Sequence, residues 1–310
     1  MVSLLKPLGE SAGLARGRPV VDGLARRAHR FGLAHAPYLS RVTATLRAPL
    51  RPAVIEQARA AVGLAWPAPI LLASIGSTNA EALALARGGA PEGTCVVAEE
   101  QTAGRGRHRR SWVSPPGAGL WASVILDLTD LPNARWGLVP LAAGLAVADA
   151  IARTTGLEPA LKWPNDVLVA SAGAAGKLAG ILVEAAAQTG PAAQVVVGMG
   201  LNVDLDERPP GASCLASAGY PPPSREVLLV AELNALHERM SQLRDDPPDL
   251  LREVRERCAT LGRSVRVVLP GDQVLEGQAV GIADDGSLEV QDGQGMRRFV
   301  TAGDVIHATI

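Results

Sequence analysis

Lys162-Trp163-Pro164-Asn165-Asp166 is followed by Gly176-Lys177-Leu178-Ala179-Gly180-Ile181-Leu182-Val183-Glu184 and then by Gly198-Met199-Gly200-Leu201-Asn202-Val203. These three runs decide the fold. The second and third are apolar enough for strands in the middle of a sheet (178–187 and 194–204), and Pro164 turns the chain into another strand over 167–170. Two glycines inside one strand weaken it unless something must lie close to the backbone, either a flat ligand or a tightly packed neighbour.

The first two runs also hold two of only three lysines in the chain, Lys162 and Lys177; the third is Lys6, and arginine supplies the other 27 of 30 cations. A compact ammonium and a planar guanidinium differ in shape, hydration and reach. Lys177, at the start of its strand, is expected to be partly desolvated and to neutralise a phosphoryl or carboxylate oxygen. Asp166 suits a magnesium ion between phosphates, although a Pro-Asn-Asp turn beside a buried Trp fits the same residues.

Working outward toward the N-terminus, helices are expected over 51–64 and from Thr78 to Arg87, with strands at 70–75, 94–98 and 121–128. Thr78-Asn79-Ala80-Glu81 has the capping-box pattern, and a helix N-terminus there would turn Ser77 and Thr78 toward a ligand. Between the last two strands lies a Gly-, Pro- and Arg-rich loop containing Gly104-Arg105-Gly106-Arg107-His108-Arg109-Arg110. Its forked donors suit phosphate and carboxylate oxygens; a solvated basic loop or an RNA contact is the plainer alternative. Toward the C-terminus, helices are expected over 137–154, 225–244 and 249–260. From Gly262 the composition changes to short strands with Asp-Gly turns, the pattern of a small all-β module.

Length suits one large and one small domain. Aromatics are 3% of the residues, so small aliphatics must fill the core. Net charge is −1, which gives no overall nucleic-acid footprint, yet residues 1–51 carry nine cations against two acids. Residues 1–50 show no sustained period and are expected to be a poorly ordered basic extension, or the product of a misplaced start. Cys95, Cys214 and Cys258 are odd in number and lack a CxxC, which fits a reducing cytoplasm. The apolar run 137–152 includes Asp149 and reads as a buried helix, so no membrane association is expected.

Taken in order, these motifs resemble the biotin–protein ligase family over about residues 68–310. The resemblance is carried by Ser77-Thr78-Asn79, Gln101 with the arginine loop, Trp112, the Lys162 and Lys177 segments, and Gly198 to Val203. It implies an α+β class II synthetase-like catalytic domain with a mixed sheet over 51–260, followed by a C-terminal SH3-like barrel over 262–310. It implies ATP-dependent activation of biotin to biotinyl-5′-AMP with magnesium, then transfer to a lysine of a biotin carboxyl carrier protein or domain. A homodimer is compatible with the family, and nucleic acid is not an expected partner because residues 1–60 show no convincing helix-turn-helix.

The resemblance further implies that Lys177, Arg107 and Asp166 are catalytic. Biotin would be held by Ser77, Thr78, Asn79, Gln101, Gly104, Arg105, Trp112, Lys177, Gly180 and Gly198, with Trp121 as a further wall. The nucleotide would meet Arg105, Arg107, His108, Arg109, Arg110, Trp112, Lys162, Asn165, Asp166 and Asn202, and Asp166 would serve the magnesium. The family loop usually reads Gly-Arg-Gly-Arg-x-Gly-Arg, and here Arg109 stands in the place of the third glycine, which puts the loop's backbone conformation in question. A lipoate–protein ligase, a biotinyl-AMP-sensing repressor and an inactive adaptor are the competing readings.

Overall fold

The computed structural model describes residues 47–171, 174–186, 193–219, 222–269, 271 and 273–307. The expected extension therefore falls outside the described residues up to position 46. Residues 47–50 are bound to the body of the protein. Arg47 pairs with Asp206 at 2.6 Å, the Leu50 amide donates to Glu99 at 2.6 Å, and Arg225 donates to the Ala48 carbonyl at 2.6 Å.

The strands β1 (Ile70–Leu72), β2 (Cys95–Ala98), β3 (Gly119–Asp127), β4 (Ala160–Lys162), β5 (Asp166–Ser171), β6 (Ala174–Ala185) and β7 (Gln194–Asn202) form one sheet in the order β1-β2-β3-β7-β6-β5-β4. Only β1 and β2 run parallel; every other pair is antiparallel. The central strand β3 is buried along its length to Leu126, as its unbroken apolar run requires.

Helices α1 (Pro52–Val62), α2 (Thr78–Arg87), α3 (Val139–Thr155), α4 (Arg225–Asp245) and α5 (Pro247–Arg257) complete the larger part. A 3-10 stretch, Asn133–Leu138, runs into α3, and together they are long and apolar enough to cross a membrane by length and composition. Most of that span is buried, from Val139 to Ile151 almost continuously, as expected for a core helix. It packs on α4, and Asp149 on α3 is matched by Arg239 of α4 at 2.6 Å and by Arg257 of α5 at 2.5 Å.

β8 (Ser264–Val268), β9 (Val274–Ile282), β10 (Leu288–Asp292), β11 (Arg297–Val300) and β12 (Asp304–His307) form a second sheet, wholly antiparallel, in the order β11-β10-β9-β8-β12. This is the expected all-β module. It is fastened to the larger part by Trp163, whose indole N–H donates to the Gly286 carbonyl at 2.9 Å, and by Arg255 on the Ile282 carbonyl. One contiguous apolar core runs through both sheets.

Three local expectations are corrected. Thr78 is not a cap: the N-cap is Ser77, which makes no side-chain capping bond. Gln101 Oε1 accepts from the Thr78 amide at 2.9 Å instead, so a distant side chain satisfies an N–H the local pattern would have served. Lys177 lies within β6, which begins at Ala174, and a register shift in β5 opposite it breaks the regular pairing. β4 was not expected, because three residues ending in a lysine carry no strand pattern of their own.

Candidate active site

A cavity of about 840 Å³ opens over one face of the large sheet and is closed on one side by β12. The strand β6 measures its length. Glu184 and Leu182 lie toward one end, Gly180 in the middle, and Lys177 toward the other; Leu182 is five positions along from Lys177, about 16 Å at strand rise.

At the Leu182 end the site is built from neutral hydrogen-bonding groups on α2 and β3. Asn79 Nδ2 donates to Glu184 Oε2 at 2.8 Å and to the Leu182 carbonyl at 3.3 Å. Ser123 lies within hydrogen-bond distance of Asn79 Oδ1 (2.6 Å) and Thr78 Oγ1 (2.7 Å). Thr78 Oγ1 also reaches Gln101 Oε1 at 3.1 Å, while Gln101 Nε2 donates to Ser114 Oγ at 2.9 Å. Buried polar groups joined this way hold one another in fixed rotamers. Ser77 is buried at the cavity wall beside them.

The glycines of β6 and β7 accommodate side chains that cover the sheet. A Cβ at Gly200 would stand 2.7 Å from Trp112 Nε1, and one at Gly180 would stand 3.0 Å from the same ring. At Gly198 it would stand 2.9 Å from Asn79 Cγ. Among the described residues the indole N–H groups of Trp112 and Trp121 are buried without a protein partner, and both rings line the cavity.

The other end is cationic. Lys177 Nζ lies 2.6 Å from Asp166 Oδ1 and 5.1 Å from the centre of the Trp112 ring. Arg107 donates to Asn165 Oδ1 at 3.3 Å and to the Gly303 carbonyl at 3.1 Å. Burial lowers the Lys162 ammonium below its ordinary value, with Asp166 opposing and Lys177 and Arg110 adding to the shift. Burial likewise lowers Arg107. These are cations held away from water with too few anions around them, a favourable setting for an oxyanion.

Of the residues expected here, Ser77, Thr78, Asn79, Gln101, Arg105, Arg107, Arg110, Trp112, Trp121, Lys162, Asn165, Asp166, Lys177, Gly180, Gly198 and Asn202 all line the cavity. Gly104, His108 and Arg109 do not. Gly104 packs under the Trp112 carbonyl, where a Cβ would collide, and so closes the base of the loop. His108 and Arg109 lie on its outer turn with φ of 53° and 58°. The backbone question posed by Arg109 is thus answered: this arginine adopts the left-handed conformation that glycine favours. Asn202 lines the wall, but its Nδ2 donates to the Ser213 carbonyl at 3.0 Å.

Sequence reasoning missed Ser123, Asp304 and His307. Ser123 sits inside an apolar strand, and the other two come from the C-terminal sheet, where Asp304 meets a loop more than 100 residues away and His307 lines the cavity. His307 is pushed down to about 4 by burial and by Lys162 and Arg263, and lies 3.1 Å from Thr260 Oγ1.

A sequence model described as the biotin/lipoate A/B protein ligase family matches residues 71–202, and one described as the biotin protein ligase C-terminal domain matches 260–308. The chain belongs to the biotin/lipoate A/B protein ligase family. It is 41% identical over 268 residues to the biotin–[acetyl-CoA-carboxylase] ligase of Mycobacterium tuberculosis, aligning 84% of this chain with 97% of that protein. It is 33% identical over 236 residues to the bifunctional ligase/repressor BirA of Bacillus subtilis, with 74% of this chain and 70% of that protein covered. Among solved structures, the biotin protein ligase from Aquifex aeolicus in complex with biotin and ATP superposes with a TM-score of 0.65 at 26% identity, covering 77% of this chain and 98% of that one.

Proposed function

We propose that the chain joins biotin to ATP, giving biotinyl-5′-AMP and pyrophosphate, and then transfers the biotinyl group to a lysine of a biotin carboxyl carrier protein. The observation that carries this reading is the division of one elongated cavity between a hydrogen-bonding end, where Glu184 and Arg105 lie 3.9 Å apart and offset each other's charge, and a cationic end. Urea-like and amide groups suit the first, around Ser77, Thr78, Asn79 and Gln101. A carboxylate and the phosphates of ATP suit the second.

Attack of the carboxylate on the α-phosphorus brings two anions together. Lys177, Arg107, Lys162 and Arg110 offset that repulsion with donors already in place. The carboxylate oxygen forms the new bond to phosphorus while pyrophosphate takes the bonding pair away. Trp112 and the arginine loop then cover the mixed anhydride and exclude water. In the second step the carrier lysine attacks the carbonyl carbon and AMP leaves with its oxygen. No nucleophile of the enzyme is required, and Cys95, Cys214 and Cys258 are all buried free thiols.

Magnesium fits this site as a companion of the nucleotide. Among the described residues no group of three or more His, Cys, Asp or Glu is placed to hold a metal. Magnesium carried by phosphates and water needs only one or two carboxylates. Asp166, whose Oδ1 is paired with Lys177 at 2.6 Å, is the carboxylate that would hold it, exchanging that pair for the ion. When bound, the ion would neutralise phosphate charge.

We assign 51–260 to catalysis and 262–310 to a module that closes the cavity. A cytoplasmic location follows from the use of ATP and free thiols. To test the reading, the protein is incubated with biotin and magnesium ATP, with lipoate in a parallel tube, and pyrophosphate is measured. Release with biotin alone supports it; release with lipoate alone moves the chain to lipoate activation.

A further inference from the structure

Three residues of the arginine loop converge on one point of the C-terminal sheet. Arg110 forms an ion pair with one oxygen of Asp304, and His108 Nε2 lies 3.8 Å from the other. Arg107 donates to the neighbouring Gly303 carbonyl at 3.1 Å. Asp304 opens β12, an end strand of its sheet, and is partly buried at the cavity wall.

Between these contacts His108 and Arg109 both have positive φ. Such a conformation costs an L residue about 1–2 kcal/mol, and it persists only where the surroundings over-determine it. The loop's own turn bonds, Gly106 amide to Arg110 carbonyl and Arg110 amide to Arg107 carbonyl, close the turn without fixing it to anything outside. Beyond the loop, its side chains reach Glu184 at 3.9 Å through Arg105, Asn165 through Arg107, and the Gly303–Asp304 corner. Of these anchors, only the corner engages the two ends of the strained segment at once. Its carboxylate also lies among the loop cations at the cavity wall, the place an incoming phosphate would seek.

We propose that Asp304 is a positioning residue: its carboxylate takes Arg110 and His108 and thereby holds the strained arginine loop closed when no phosphate is present to do so. The exchange that follows rests on the ligase reading; the latch does not. As the polyphosphate enters, Arg110 passes from one oxyanion to another. After pyrophosphate leaves, the Asp304 pair re-forms and keeps the adenylate from water.

The test begins with the full chain and no substrate, under limited trypsin. Asp304→Asn should speed cleavage within residues 105–110 by about threefold or more, a change that a partly exposed ion pair can supply, while Asp304→Glu retains protection. Arg110→Gln cuts the same pair from the loop side without altering the sheet, and should speed cleavage after Arg105 and Arg107 equally. Unchanged cleavage in folded Asp304→Asn or Arg110→Gln protein would overturn the latch. In turnover, pyrophosphate released per carrier biotinylated should rise about threefold in Asp304→Asn and return in Asp304→Glu. A slower enzyme with an unchanged ratio would make Asp304 a merely structural residue and overturn its positioning role. If the unmodified enzyme releases no pyrophosphate with biotin, the ligase reading fails while the protease result still judges the latch.

Discussion

Gly198→Ala is the sharpest perturbation of the hydrogen-bonding end of the site. Gly198 pairs with Ser123 on β3 and with Leu182 on β6, and Asn79 comes down from α2 onto that row. A new methyl would stand 2.9 Å from Asn79 Cγ and closer still to its Oδ1. Asn79 cannot yield without losing its bonds to Ser123 (2.6 Å) and Glu184 (2.8 Å). A neutral buried hydrogen bond contributes about 0.5–1.5 kcal/mol and one to a charged group about 1.5–3. The substitution should therefore destabilise the protein by about 2–4 kcal/mol, read from urea unfolding, and weaken biotin binding in calorimetry. Asn79→Ala removes the obstructing side chain and the same bonds. The double variant should then be little worse than Asn79→Ala alone, a coupling of about 2 kcal/mol, well beyond the few tenths seen for independent sites. Additive losses would refute the clash with Asn79 as the reason for glycine at this position.

Other outcomes follow from the same geometry. Lys177→Ala should slow adenylation at least about tenfold, 1.4 kcal/mol of barrier, in single-turnover pyrophosphate release; an unchanged rate contradicts its proposed place at the phosphate. Arg109→Gly removes a left-handed penalty of about 1–2 kcal/mol, more than the roughly 0.5–1 kcal/mol of freedom glycine gives the open loop. Hydrogen exchange at the Gly106, Arg110 and Trp112 amides should slow, and faster exchange would count against the strain. Glu232 is fully buried on α4 with no hydrogen-bond partner among the described residues, and burial raises its carboxyl from 4.5 to about 8. The folded protein holds this proton where the unfolded chain has lost it, so the contribution is complete below pH 4.5 and is lost as pH rises through 8. Glu232→Gln should flatten the fall in urea midpoint between those pH values, and an unchanged slope would show that Glu232 is not its source.

The sheet and most helices were legible because their signal is local: β3 and β7 are apolar runs, and the C-terminal strands are punctuated by Asp-Gly turns. Helix α2 was legible in extent but not in its cap, since the group that meets the Thr78 amide is Gln101, supplied from another loop. Lys177 was read as preceding its strand because Gly and Ala at 174–176 look like a turn; pairing with β5 makes them strand. The cavity's cations were visible as residue types, and their company was not. Nothing in Gly303-Asp304 announces an arginine loop nearly 200 residues away, and Ser123 within an apolar strand reads as filler until Asn79 and Thr78 are seen to share it.

The central claim is met most directly by following biotin onto protein. Purified enzyme, biotin and magnesium ATP are mixed with a biotin carboxyl carrier domain, and the carrier is weighed intact by mass spectrometry beside a copy whose acceptor lysine is arginine. The account predicts one biotinyl group on the lysine-bearing carrier, dependent on ATP, and none on the arginine copy. A carrier left unmodified by active-site-saturating biotin and ATP would contradict it.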